Sequence, residues 1–157
     1  LKKEDEVLLK SGEMAKALQE MEKYLADRKI NAQKTGNGTF VEIIQQGSGP
    51  QAEAKKYVLV KYTGRLLSTD SVFQSHSYPF QLGIGEVIRG WDEGLLLFKE
   101  GGKGRLFIPG FLAYGNNPPA GSPFKLMEAL KFDVELIKVS DQPIEQPVDT
   151  PLRKPQK

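Results

Sequence analysis

The chain lacks cysteine and contains one histidine among its 157 residues. Without cysteine, disulfide bridges, thiolate metal sites and cysteine nucleophiles are excluded. The single imidazole, His76, lies in the polar run Ser75-His76-Ser77, for which we expect a solvated loop. One histidine and no cysteine argue against a transition-metal site and against a Ser-His-Asp triad. We therefore expect no metal and no cofactor, and a chemistry that needs no titrating nucleophile.

Long apolar runs and a large charge imbalance are also missing. No stretch approaches the length of a membrane span, and 22 basic against 20 acidic residues leave a formal net charge of +2. Such a balance gives no reason to expect a nucleic-acid partner. The chain begins at Leu1 without an initiator Met or a signal peptide, so we expect a fragment or a processed form.

The N-terminal part, residues 1–34, is predicted to be a helical extension. Its apolar residues recur with heptad-like spacing, with Ser11 at the one missing position, and they are Val7, Met14, Leu18, Met21 and Leu25. Ser11-Gly12 could interrupt the helix and start a second segment that runs to about Lys29. Two interpretations stay open: the apolar seam packs on its own chain, or it forms a dimerisation or spacer helix.

From Thr39 onward the apolar period changes to two, which predicts strands. The predicted strands cover residues 39–46, 56–67, 77–82, 103–108 and 129–139, and a short helix covers residues 92–98. The predicted class is α+β, with a twisted antiparallel five-stranded sheet wrapped around one short helix. This domain is predicted over residues 38–140, and residues 141–157 form a tail with prolines at four-residue spacing that should be extended or disordered in isolation.

The only tryptophan, Trp91, lies between Gly90 and Gly94 at the start of the predicted helix. It could be a core anchor, or it could be the floor of a pocket, since glycines can leave the face of a ring open. The motif Lys61-Tyr62-Thr63-Gly64 precedes it and Ala113-Tyr114-Gly115 follows. In this order the segments resemble the FKBP-type peptidyl-prolyl cis-trans isomerases, and the resemblance covers residues 38–140.

The resemblance implies an isomerase that binds Xaa-Pro segments and assists protein folding. It implies catalytic roles for Tyr62, Phe73, Ile88, Trp91 and Tyr114, with Trp91 as the floor, the Ile88 N–H as a donor and the Tyr114 hydroxyl at the mouth. It implies substrate-binding roles for Gln74, Tyr78, Val87, Phe124 and Phe132. Ordinary core packing is the alternative interpretation of each ring.

The expected chemistry is the rotation of a peptide bond. Amide resonance sets a barrier of about 18–20 kcal/mol, and this resonance is lost in the twisted transition state. An apolar pocket that removes water from the amide should therefore favour the twisted form over the planar forms. A fixed donor to the carbonyl oxygen would hold the bent geometry.

The sequence departs from the family at three places. Gln74 follows Phe73 where the family usually has an acidic residue, and Tyr78 stands where phenylalanine is usual. The stretch from Ser122 to Leu130 replaces an Ile-Pro-Pro loop, with Phe124 in place of the usual aliphatic contact. The family's substrate preference therefore does not carry over to this chain.

Three functions remain open: an active isomerase, a proline-peptide binding or chaperone module with little catalysis, and a dimer in which the N-terminal helix is the primary element. The expected partners are proline-containing polypeptides and a rapamycin-type macrolide inhibitor. A helix that leads into the domain resembles the macrophage-infectivity-potentiator-like bacterial members. That likeness implies a homodimer in the bacterial periplasm or cell envelope, with the cytoplasm as the alternative. The prolines of the tail suggest that one molecule's tail could occupy another molecule's site.

Overall fold

The structure, a computed structural model, describes the backbone of residues 3–145 and the side chains from residue 12 onward. The chain divides into two compact units, of which the first ends at Asn31 and the second begins at Ala32. Most of the predicted tail, residues 146–157, lies outside the described residues. Within the described part, no helix is both long and apolar enough to cross a membrane.

The described part of the first unit contains one helix, α1, which runs over Lys3–Asp27. The predicted interruption at Ser11-Gly12 is wrong, because a single glycine costs a helix only about 1 kcal/mol and the helix continues through it. Past its end, Lys29 takes a φ of 56° and the Ile30 N–H donates to the Leu25 carbonyl oxygen at 2.9 Å, which closes the last turn. Helix over all of residues 1–34 is therefore also wrong. The side chains of Val7 and Ser11 in the predicted seam lie outside the described side chains.

The second unit is built on one antiparallel sheet. Its strands are β1 (Gln33–Lys34), β2 (Phe40–Gln45), β3 (Tyr57–Leu66), β4 (Val72–Gln81), β5 (Lys103–Ile108) and β6 (Leu130–Ser140). The strand order is β1-β2-β5-β6-β3-β4, with every neighbouring pair antiparallel. The predicted α+β class is confirmed, although the sheet formed by the described residues has six strands rather than five. The additional strand, β1, has two residues, and two residues are too few to show a period.

Strand β4 begins five residues before its predicted start. As a result His76 lies in a strand opposite Tyr62, and its expected place in a loop is wrong. Its polar side chains gave no strand pattern in the sequence. Within residues 3–145, β4 is an edge strand with one neighbour, and an edge strand tolerates polar residues. One of these residues, Ser75, makes a hydroxyl contact of 3.0 Å with Thr63 on β3.

The helix α2 spans Arg89–Gly94 and continues into a 3₁₀ turn over Leu95–Leu97. Two glycines let it approach β5 closely. A Cβ atom on Gly90 would lie 2.6 Å from Ile108, and one on Gly94 would lie 2.8 Å from Leu106, so neither position has room for a side chain. The core forms between this helix and the inner face of the sheet, and its largest fully buried members include Trp91, Tyr62, Phe98, Phe132, Leu95, Leu106, Ile108 and Leu136.

Candidate functional site

Eight aromatic side chains come together on the inner face of the sheet, and we call them the aromatic cluster. They are Tyr62, Phe73, Tyr78, Phe80, Trp91, Tyr114, Phe124 and Phe132, each in ring contact with at least one other member. All the rings for which the sequence predicts a site role belong to it. Its members lie on three strands (β3, β4 and β6), on the helix that carries Trp91 and in the loops that carry Tyr114 and Phe124. The cluster therefore depends on the sheet topology.

Trp91 lies at the centre of the aromatic cluster and is 1% exposed. Its ring is 4.8 Å from Tyr62 and 5.2 Å from Phe132 in edge-to-face contacts, and 5.6 Å from Phe80. Within the described residues, its indole Nε1 is buried and has no hydrogen-bond partner. A buried donor without an acceptor costs about 1–3 kcal/mol, so the centre of the cluster is a place where an added acceptor would stabilise the protein.

The glycines beside Trp91 do not leave its face open. The space next to Gly90 is filled by Ile108, and the space next to Gly94 is filled mainly by Leu106. The idea of an open ring face between two glycines is therefore wrong. Their role is to bring the first turn of α2, which carries Trp91, close to β5.

The ring of Phe73 reaches the cluster through a β-bulge. The pairing of β3 with β4 shifts between Gly64, which lies opposite Gln74, and Arg65, which lies opposite Val72, so Phe73 is the extra residue. Its ring lies over Gly64, where a Cβ atom would be 2.5 Å from the Phe73 Cζ atom. The glycine of the Tyr62-Thr63-Gly64 motif thus makes room for this ring. The neighbouring Gln74 side chain is half-buried and uncharged.

Three rings form the outer layer of the cluster. Phe124 stacks on Tyr114 at 4.9 Å and meets Phe73 edge-on at 4.8 Å. The loop that carries Phe124 is fixed at its end, where the Met127 N–H donates to the Gly115 carbonyl oxygen at 2.8 Å. Burial raises the pKa of Tyr114, and the nearby Tyr62 raises it further. The phenol therefore keeps its proton at neutral pH.

The segment of residues 82–88, which we call the rim loop, leads from β4 into α2. At its end Val87 and Ile88 are 7% and 3% exposed. Ile88 has an extended backbone, and its carbonyl oxygen accepts from the N–H groups of Trp91 and Asp92 at 3.0 and 3.3 Å. The N–H of Ile88 has no acceptor among residues 3–145, so the backbone leaves a donor next to Trp91.

Sequence reasoning missed two residues of this region. Phe80 packs on Trp91 and stacks on Tyr78 at 5.6 Å, and its position two residues after Tyr78 on one strand was a usable signal. Asp92 binds the backbone of the rim loop through both carboxylate oxygens. Nothing in the sequence pattern indicates that contact.

Other parts of the surface offer less chemistry. In residues 3–145 no group of three His, Asp or Glu side chains is placed to hold a metal ion. A depression of about 300 Å³ lies on the outer face of the sheet between Lys61 and Arg105. A groove of about 390 Å³ lies beside Glu93 and Leu96. Neither is lined by Trp91.

Residues 49–137 match the family described as FKBP-type peptidyl-prolyl cis-trans isomerase. A probable FKBP-type peptidyl-prolyl cis-trans isomerase FkpA from Neisseria meningitidis is 34% identical over 168 residues, covering 90% of this chain and 61% of that protein. An FK506-binding protein from the same species is 40% identical over 106 residues, covering 65% of this chain and 96% of that protein. The chain thus spans about 61% of the longer of these two relatives.

Solved structures show the same fold. A peptidyl-prolyl cis-trans isomerase from Pseudomonas syringae pv. tomato superposes with a TM-score of 0.66 at 31% identity, covering 81% of this chain and 96% of that one. FkpA from Escherichia coli gives a TM-score of 0.65 at 30% identity, covering 83% of this chain and 62% of that one.

Proposed function

This chain belongs to the family of FKBP-type peptidyl-prolyl cis-trans isomerases, and we propose that it catalyses the cis-trans isomerisation of Xaa-Pro bonds in polypeptides. The observation that carries this proposal is the position of Trp91. Its ring is enclosed by the aromatic cluster. Ile88, three residues before it at the N-terminus of α2, has an N–H without an acceptor among residues 3–145. An apolar surface beside one fixed donor is what the rotation of an amide requires.

The physical basis is selective stabilisation of the twisted amide. A planar amide is charge-separated and well solvated by water, whereas the twisted amide has lost its resonance. Rings such as Tyr62 and Phe132 exclude water, so the environment disfavours the planar form more than the twisted form. No bond is made or broken and no proton moves. The absence of cysteine and the lone histidine are compatible with such a reaction.

The proposed roles follow from this chemistry. Trp91 supports the proline ring, with Tyr62, Phe73, Tyr78 and Phe132 as walls and Val87 and Ile88 as the rim. The Ile88 N–H donates to a substrate carbonyl oxygen. Tyr114, which keeps its proton, donates from its hydroxyl at the mouth. Gln74 and Phe124 contact the residues that flank the proline.

A second candidate function is a proline-peptide binding or chaperone module with little catalysis. The observation that favours it is the outer layer, where Phe124 is packed against both Phe73 and Tyr114. A substrate must displace or share this contact to reach Trp91. Gln74 also brings no carboxylate beside the walls.

The proposal includes the ligand class and the setting of the protein. Relatives are named FK506-binding proteins, and we expect this chain to bind FK506- and rapamycin-type macrolides at the aromatic cluster.

The Neisseria relative aligns with 90% of the chain, well beyond residues 49–137. By analogy we propose a location in the bacterial periplasm or cell envelope and a homodimer formed through α1. Sedimentation at several concentrations checks the dimer, and a monomer at all of them contradicts it.

The decisive experiment is an isomerisation assay on a short Xaa-Pro peptide. The wild-type protein should accelerate the cis-trans exchange of the peptide. Tyr114→Phe should lower kcat/KM about tenfold, because a positioned donor is lost. The double variant Trp91→Ala with Phe73→Ala should abolish the acceleration. Tyr57→Phe is the matched control, since it removes a hydroxyl at the far end of β3. A folded wild-type protein that binds proline peptide without any acceleration would select the second candidate.

A further inference from the structure

The rim loop has few anchors of its own. Between Leu82 and Val87 the chain makes two turns at Gly83 and Gly85, whose φ angles are +84° and +83°. Ile84, between them, is 47% exposed. Because this stretch buries little apolar surface, its position depends on hydrogen bonds to its backbone.

Those hydrogen bonds come from one side chain on α2. The Oδ1 atom of Asp92 accepts from the Gly83 N–H at 2.8 Å, and its Oδ2 atom accepts from the Gly85 N–H at 3.0 Å. A carboxylate that accepts two N–H groups makes short, charge-assisted hydrogen bonds, each stronger than a neutral one. Asp92 follows Trp91 directly, so it ties the rim loop to the turn that carries this ring.

We propose that Asp92 is a positioning residue for the isomerase reaction. It fixes the rim loop so that Val87 and the Ile88 N–H stay in register with Trp91, and it does not itself contact the substrate. This inference rests on the proposed isomerase function. It adds a dependence on one carboxylate to a reaction that needs no proton transfer.

The next residue provides a matched control. Glu93 lies on the same helix, but its carboxylate serves a different loop, accepting from Thr35 Oγ1 at 3.4 Å, from Asn37 Nδ2 at 2.5 Å and from Thr39 Oγ1 at 3.5 Å. It also lies 3.6 Å from the Arg89 guanidinium. Neutralising either carboxylate removes one negative charge from α2, yet of these two carboxylates only that of Asp92 accepts hydrogen bonds from the rim loop.

The test compares the wild type with Asp92→Asn, Asp92→Glu and Glu93→Gln on one Xaa-Pro peptide. An asparagine keeps one acceptor and turns an NH₂ group toward a glycine N–H, so kcat/KM should fall about tenfold, in line with the cost of small misplacements. Glutamate keeps both acceptor oxygens and should recover part of the loss. Glu93→Gln should stay within about twofold of the wild type. Amide hydrogen exchange at Gly83 and Gly85 should accelerate in Asp92→Asn and not in Glu93→Gln.

The pH profile is a readout that a merely structural role would not move. Burial raises the pKa of Asp92, which the bonds from Gly83 and Gly85 oppose and the nearby carboxylates of Glu86 and Glu93 reinforce; Arg89 is the cation on the same helix. Protonation turns one acceptor oxygen into a donor. Wild-type activity should therefore fall as the pH drops through this raised pKa, whereas Asp92→Asn should lack that limb.

The raised pKa of Asp92 also determines whether this group stabilises or destabilises the folded state as the pH falls. A folded state that binds the Asp92 proton more tightly than the unfolded state gains stability from this group as the pH falls. Loss of activity by protonation of Asp92 should thus occur in a protein that is still folded by circular dichroism. This separates the acid limb of the activity from acid unfolding.

The possible results distinguish a failure of the proposed isomerase function from a failure of the role of Asp92. A folded wild type without activity at any pH overturns the proposed function itself. An active wild type whose activity and glycine exchange are unchanged in Asp92→Asn overturns only the role of Asp92. If Asp92→Asn does not fold, Asp92→Glu and the wild-type pH profile decide, and a profile without an acid limb in the folded protein overturns the inference.

Discussion

The two faces of one sheet are held by different forces. On the inner face Tyr62 and Phe132 are 1% and 0% exposed and lie within the aromatic cluster. Their neighbours along the same strands, Thr63 and Asp133, face outward. There Asp133 accepts from Arg105 at 2.8 Å and from Arg65 at 3.2 Å, as part of a ladder of charges across four strands.

The difference is one of solvent. Inner-face contacts remove apolar area from water, at about 25 cal/mol for each Å². The outer-face pairs stay 30–42% exposed at their side chains, where water and salt screen them. Residues that are adjacent in sequence should therefore differ several-fold in their effect on stability. The inner face should also carry all of the activity.

The largest expected effect is on the inner face. Phe132→Ala should lower the free energy of unfolding by about 3–5 kcal/mol, as for other fully buried phenylalanines, because its ring contacts Tyr62, Phe73 and Trp91. Urea unfolding measures the loss. Phe132→Leu, which refills most of the volume, should cost about 1.5 kcal/mol or less. A loss below about 1 kcal/mol for the alanine variant would mean that the contacts of the Phe132 ring with Tyr62, Phe73 and Trp91 contribute little to stability.

The alternating inner and outer faces explain how much of the fold was predictable. Strand β5 has the predicted bounds, residues 103–108, and β6 shows the expected alternation of buried Phe132 and Val134 with Asp133. A strand that is buried on one face alternates apolar and polar residues, which gives its sequence a period of two. Strand β1 and the polar start of β4 do not show this alternation. In the part of the chain that the structure describes, both are edge strands with a single partner.

For the site, sequence motifs predicted which residues belong to it, but not the backbone contacts that hold them in place. The sequence motifs indicate which rings belong together, and the structure brings all of them into contact, while their roles stay predictions. The bonds of Asp92 to the rim loop depend on backbone geometry, which side-chain patterns do not encode. The stacking of Phe124 on Tyr114 depends on where the loop ends at Met127, and it was out of reach for the same reason.

A smaller effect on the same face concerns the outer layer of the cluster. Phe124→Ala removes a ring that contacts both Phe73 and Tyr114. If this ring binds the residues beside the proline, KM should rise about fivefold, equivalent to roughly 1 kcal/mol, with little change in kcat. Steady-state kinetics on one Xaa-Pro peptide measures both constants.

The control for Phe124 lies in the same loop. Leu126 is 66% exposed, and Leu126→Ala should leave both kinetic constants unchanged. A decrease of KM in Phe124→Ala would reverse the interpretation. The Phe124 ring would then cover the aromatic cluster rather than contact the substrate, and substrate would reach the inner face of the sheet only after this ring moved.

The smallest effect is expected on the outer face. Asp133→Asn weakens two ion pairs at once, but each pair is exposed enough that its contribution is about 0.5 kcal/mol, so the urea midpoint should move little and kcat/KM should not change. The backbone of Asp133 stays paired with Arg105 on β5 and Thr63 on β3, which keeps the neighbouring Phe132 in place. Half a molar of added salt should reduce even this small loss, because it screens the wild-type pairs as well. A loss above about 2 kcal/mol that salt leaves untouched would show that the charge ladder sets the strand register, and the contrast between the two faces would then fail.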